Sequence, residues 1–167
     1  MRALTETDVR ASFVNATEEE LETMEMPHDF LFIDWDFRDF FAWRDPVFGK
    51  RGYVIVETAA RAVGIVLRAS ESGRAQAGMC NICRTMQPGA QVALFTARRA
   101  DSAGSRGDSI GTHMCVDLSC HDNVRLAPPL APNEIRPAGQ VDMRLDGTRR
   151  RMEAFVARVQ ENPDVAD

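Results

Sequence analysis

Residues 78–83 read GMCNIC and residues 113–121 read HMCVDLSCH, and these two stretches hold all four cysteines of the chain. How the thiols are used decides the fold. Cys80-x2-Cys83 places two thiolates on one side of a tight knuckle, at a separation that suits tetrahedral zinc. Between the two pairs lie two β-rich runs, QVALFTARR (91–99) and SIGTHMC (109–115). They are joined by ADSAGSRGD (100–108), whose Gly, Ser and Asp read as a flexible hairpin loop. A hairpin returns the chain to the knuckle, so that Cys115-x4-Cys120 completes one site of four sulfurs. Cys120 falls near the start of a short helix expected in SCHDNVRL, where the backbone dipole favours a thiolate. Gly78 and Gly89 are expected to relax the backbone at the two ends of the knuckle.

Other uses of the cysteines fit the spacing less well. Disulfides belong to oxidising compartments, and MRALTETDVR at the N-terminus lacks the apolar stretch of a secretory signal. A thioredoxin-like pair needs a surrounding βαβ pattern and leaves the second pair unexplained. Iron–sulfur clusters use more closely spaced runs. His113 and His121 lie close enough in sequence to replace a cysteine as ligand. Four cysteines already complete the tetrahedron, so each histidine is read as a neighbour of the site or a surface group. Such a site has no open coordination position and is structural. No His-Glu-x-x-His helix, phosphate-cradling Gly-rich loop with lysine, or Gly-x-Ser-x-Gly elbow occurs. The chain reads as a binding module, not an enzyme, with no small-molecule substrate evident.

Outside the cysteines, the bulk numbers bound the answer. The 167 residues suffice for one core. No run of about 18 apolar residues offers a membrane span, so a cytoplasmic location is expected. The formal net charge is −5, with the acidic excess in residues 1–50 and a modest basic excess over 51–110, around the first cysteine pair. A chain-wide basic face for nucleic acid is therefore excluded.

Thr7 is expected to cap a first short helix bearing Val9 and Phe13, and Thr17 with Glu20 forms a capping box for a second. FLFIDWDFRDFFAWRDP (30–46) is dense in aromatics, and its Phe, Trp and Ile residues read as core. YVIVET (53–58) and AVGIVLRAS (62–70) form a hairpin whose successive apolar positions predict strands covered on both faces. Residues 127–147 are rich in proline near their start and read as a connector. Residues 148–161 read as an amphipathic helix, with Met152, Phe155, Val156 and Val159 on one face and Thr148 as its cap.

The stretch MCNICRTMQPGAQVALFTARRADSAGSRGDSIGTHMCVDLSC (79–120) resembles the zinc-binding core of the elongation-factor-G-binding treble-clef family, relatives of the FusB-type fusidic-acid-resistance proteins. WRDP (43–46), RGYVIV (51–56) and VGIVLRAS (63–70) resemble upstream elements of the same family. The resemblance covers roughly residues 10–126. It implies an α+β fold in which a treble clef (knuckle, β-hairpin, helix) within residues 76–126 joins an antiparallel sheet in a domain of residues 1–126. It implies one structural zinc held by Cys80, Cys83, Cys115 and Cys120. The partner it implies is elongation factor G at the ribosome, docked on a surface that includes Arg98, Arg99, Arg106 and Phe95. Two other functions remain open at this level. One is a zinc finger that touches RNA through the arginines of residues 84–106; the other is a regulator whose zinc is expelled by oxidation.

Overall fold

The computed structural model describes residues 1–70, 77–126, 135 and 137–161. Its centre is a five-stranded antiparallel sheet of β1 (Phe40–Arg44), β2 (Arg51–Glu57), β3 (Ala62–Ala69), β6 (Val92–Arg98) and β7 (Ser109–Cys115), in the order β1-β2-β3-β6-β7. Two short strands, β4 (Gly78–Met79) and β5 (Met86–Gln87), form a separate ladder. The helices are α1 (Glu6–Ser12), α2 (Glu18–Glu22), α3 (Asp101–Ser105), α4 (Cys120–Asn123) and α5 (Gln140–Gln160). The α+β class expected from the sequence is therefore the observed one. Among the described residues, no helix is long and apolar enough to cross a membrane.

β2 and β3 are buried on both faces because two separate cores use their alternating side chains. Val54, Val56, Val63, Ile65 and Leu67 face one core, which also holds the four cysteines and Met152, Phe155, Val156 and Val159 of α5. Tyr53, Ile55 and Val66 face the other, where Phe41 and Trp43 of β1 meet Val9 of α1 and Met24. Gly64 lets α1 settle against β3. A Cβ there would stand 2.5 Å from Ser12 Oγ, and the Val14 N–H donates to Gly64 O at 3.0 Å.

β3 and β6 pair at only two positions, Arg68 with Thr96 and Ala69 with Phe95. Beyond that point a side chain bridges the gap. Asn15, 6% exposed, accepts from the Val66 N–H (2.7 Å) and donates to the carbonyls of Val66 (3.2 Å) and Arg98 (2.8 Å). Backbone groups that a wider ladder would satisfy are thus satisfied by one amide.

Several expectations need correction. The first helix is capped by Thr5, not Thr7, through a capping box with Asp8; Thr17 and Glu20 do form theirs. The aromatic stretch is only partly core. Phe40, Phe41 and Trp43 are buried, but Leu31, Phe32 and Phe37 project into solvent from two 3-10 turns, Phe30–Phe32 and Trp35–Phe37. Short turns on the surface have an outer side, and apolar residues in succession cannot all face inward. Residues 100–108 hold the helical turn α3 as well as a loop. In the expected connector, residues 140–147 are already helical, following the left-handed Gly139 (φ 71°), while residues 127–134 and 136 lie outside those described. Thr148 sits inside α5, buried, with its hydroxyl donating to Arg144 O at 2.8 Å.

Candidate metal centre

The knuckle is built by local hydrogen bonds. Cys80 N–H donates to Thr85 O (3.1 Å) and Arg84 N–H to Cys80 O (3.0 Å), while the β4–β5 ladder closes its base. The left-handed residue is Arg84 (φ 57°); Gly78, expected to relax the turn, lies in β4 without a positive φ. Asn81 N–H donates to His113 O (2.9 Å), which pins the knuckle to β7. Ile82 O accepts from the Arg151 guanidinium at 2.6 Å, so α5 also holds the knuckle in place. Cys115 ends β7, a tight turn through Leu118 (φ 61°) follows, and Cys120 opens α4.

These elements bring the sulfurs of Cys80, Cys83, Cys115 and Cys120 within 4.8 Å of one another. Sγ of Cys80 and Cys120 are 3.5 Å apart, and those of Cys83 and Cys115 are 3.6 Å apart. A tetrahedral ion with Zn–S bonds of about 2.3 Å separates its sulfurs by about 3.8 Å, so the donor set fits zinc. All four residues are at most 1% exposed. They form a single zinc-binding site, and none of the four is in a disulfide. Donors support the thiolates: Asn123 Nδ2 lies 3.4 Å from Cys115 Sγ, Thr85 Oγ1 2.8 Å from Cys83 Sγ, and the Cys83 N–H 3.5 Å from Cys80 Sγ.

Four thiols this close do not ionise independently. Hydrogen bonds from Cys115 and Cys120 hold the Cys80 thiol down to about 7. Those from Cys115, Cys120 and Cys80 hold Cys83 low as well. Contact with Cys120 favours the Cys115 thiolate, but Cys80 and Cys83 outweigh it and push Cys115 up. Cys115, Cys80 and Cys83 together push Cys120 up. A divalent cation would relieve this conflict, because every sulfur could then bind it as a thiolate and half of their negative charge would be offset.

Neither nearby histidine joins the cluster. His113 is exposed on β7, opposite Leu94. His121 is buried edge-on against Phe40, with Nδ1 3.1 Å from the Arg125 guanidinium and 3.7 Å from Asp39. Burial, with Arg125 and Arg38 beside it, pushes its pKa down to about 4, so the ring is neutral.

The surface residues expected to meet a partner fare unevenly. Phe95 is fully buried in the core beneath Arg44 and is no surface contact. Its strand alternation points it inward, which an isolated run cannot reveal. Arg98 donates to Asn15 O (2.8 Å) and pairs with buried Glu20 (3.1 Å). Arg99 donates to the carbonyls of Arg158 (2.7 Å) and Glu161 (2.8 Å). Both guanidinium groups thus hold the fold together. Arg106 is half-exposed, 4.0 Å from Asp108. Arg151 and Asn15, which position the knuckle and the sheet, gave no signal in the sequence, because their partners are backbone groups far along the chain.

A knuckle, a hairpin and a short helix that supplies the last sulfur define a treble-clef zinc finger. The chain belongs to the FBP C-terminal treble-clef zinc-finger family, whose model matches residues 8–159. That span is longer than the resemblance of residues 10–126 and takes in α5, in keeping with the contacts that α5 makes to the knuckle and sheet. No curated protein and no solved structure matches the chain.

Proposed function

We propose that this protein is a structural-zinc adaptor that binds elongation factor G and changes its hold on the ribosome, in the manner of factor release. The observation that carries the reading is a buried four-cysteine centre inside a family match over nearly the whole chain, with residues 79–120 resembling factor-binding members of that family. Four cysteines use every tetrahedral position, which supports a role in folding for the zinc and a protein that makes and breaks no bond. The mechanism is differential binding: better contacts with a released conformation of the factor shift its equilibrium towards that state. Such a protein works in the cytoplasm.

A protein partner is favoured over RNA by the net charge of −5 and by Arg98 and Arg99, whose donors are engaged within the chain. Burial of all four sulfurs argues against a ready oxidation switch. The test is a calorimetric titration of the zinc-loaded protein into elongation factor G, followed by a ribosome-release assay. One-to-one binding and faster release are expected; no heat at about 50 µM overturns the proposal.

A further inference from the structure

The two halves of the metal centre are fastened to different parts of the molecule. The knuckle is held by β7 and α5, through Asn81 and Arg151. The turn 116–119, which joins Cys115 to Cys120, is fastened to β1 and β2. Within it Leu118 is left-handed (φ 61°) although it is no glycine, and such a residue persists only where its surroundings over-determine it. Part of the restraint is local. The Leu118 N–H donates to Cys115 O (2.9 Å), and the Asp117 carboxylate accepts from the Ser119 N–H (3.0 Å) and hydroxyl (2.6 Å). The Val116 N–H donates to Gln91 O at 2.9 Å.

The rest of the restraint comes from the first hairpin. Arg44, the last residue of β1, donates from Nη1 to Val116 O at 2.6 Å, across 72 residues of chain. Its Cζ lies 5.3 Å from the centroid of the Phe95 ring, and its Nε is buried with no hydrogen-bond partner among the described residues. Burial lowers its pKa and outweighs the opposing pull of nearby Asp117. A guanidinium is withdrawn from water only against a desolvation penalty, and the backbone contact it makes here is with the ligand turn. Gly52 of β2, paired with Arg44, supplies the second hold. A Cβ at Gly52 would stand 2.8 Å from Leu118 Cδ1, so the missing side chain is what seats Leu118, which is 2% exposed.

We propose that Arg44 and Gly52 are positioning residues for the metal: they hold the turn 116–119 in the shape that presents Cys120 to the other three sulfurs. Both fall in stretches, WRDP (43–46) and RGYVIV (51–56), to which spacing and composition assign no role at a metal. The first hairpin is then a working part of the zinc site, although it contributes no ligand. The inference goes beyond the function proposed above and holds whatever partner the protein has.

The test uses the full, zinc-loaded chain and compares amide exchange at Val116 and Leu118 with that at Val54 and Ile55 of β2. Arg44→Met keeps an apolar stem over Phe95 and loses the donor. It should raise the turn-to-strand exchange ratio at least about tenfold, and weaken zinc binding at least about tenfold in competition with a chelator. Gly64→Ala disturbs the opposite core, where its Cβ would meet Ser12 Oγ, and reports lost stability as such; it should leave the ratio unchanged. Should Arg44→Met not fold, Gly52→Ala, which crowds Leu118 from the other hold, should raise the same ratio several-fold. An unchanged ratio in whichever of these two variants folds, a ratio raised equally by Gly64→Ala, or zinc held by Arg44→Met as tightly as by the parent chain would each overturn the proposal.

Discussion

Asp45 is 2% exposed, yet its carboxylate accepts from the Val47 N–H (2.9 Å), the Phe48 N–H (2.8 Å) and the Tyr53 hydroxyl (2.7 Å). Burial pushes its pKa up, but the Phe48, Tyr53, Val47 and Glu25 hydrogen bonds outweigh that and hold it below the usual carboxylate range. A depressed pKa means stability that is fully present above the unfolded value of about 3.9 and is lost as pH falls towards the lower folded value. Asp45→Asn should therefore be less stable at neutral pH and lose less on acidification, as urea melts from pH 7 to pH 2 would report. The turn half of this arrangement is local, an aspartate bonded to N–H groups two and three residues on, and WRDP hints at it. Tyr53 as the remaining partner depends on hairpin register and was not legible. The cysteines were legible, because ligand spacing is itself a local property. Cys83→Ser should lose the metal and the cooperative melting transition together, since structural zinc contributes about as much free energy as a whole domain's net stability. Zinc stoichiometry and circular dichroism check this, and a variant that kept its zinc and its transition would refute the four-cysteine assignment.

Among the elements, β2 and β3 were the most legible, because continuous apolar runs with β-branched residues leave little choice but a strand covered on both sides. What the runs could not show is why Gly64 interrupts one of them. Its missing side chain makes room for the end of α1. Gly64→Ala would place a Cβ 2.5 Å from Ser12 Oγ and 3.1 Å from a Phe13 ring carbon, forcing α1 away from the sheet. A loss of about 1–3 kcal/mol is expected from overpacking of this kind. Thermal or urea melts measure it, and Ser12→Gly in the same background should recover part of the loss. The apolar spacing makes α5 legible over residues 148–161 but not its start at Gln140. Gly147 and Thr148 look like a boundary, and only burial of Thr148 within a continuous helix shows otherwise. The exposure of Leu31, Phe32 and Phe37 in the 3-10 turns is hidden for a related reason: an aromatic stretch announces burial, but its turn geometry decides which members receive it.

At the scale of the molecule, α5 belongs to the same core as the zinc centre. Met152, Phe155, Val156 and Val159 are buried against β2 and β3, and Arg151 reaches the knuckle carbonyl at 2.6 Å. Four such apolar side chains contribute about 1.5–3 kcal/mol each. Ending the chain after Gly139 should therefore abolish cooperative unfolding, because the loss rivals a typical net stability of about 5–15 kcal/mol. A truncated protein with an intact melting transition would show that α5 is dispensable. This joint core also sets a time scale for the metal. With every sulfur at most 1% exposed, no chelator or competing thiol has a path to the ion while the sheet and α5 stay closed. Zinc departure then keeps time with the opening of the interior: the ion is held as much by slowness as by affinity, and its escape becomes a clock for how often this protein comes apart.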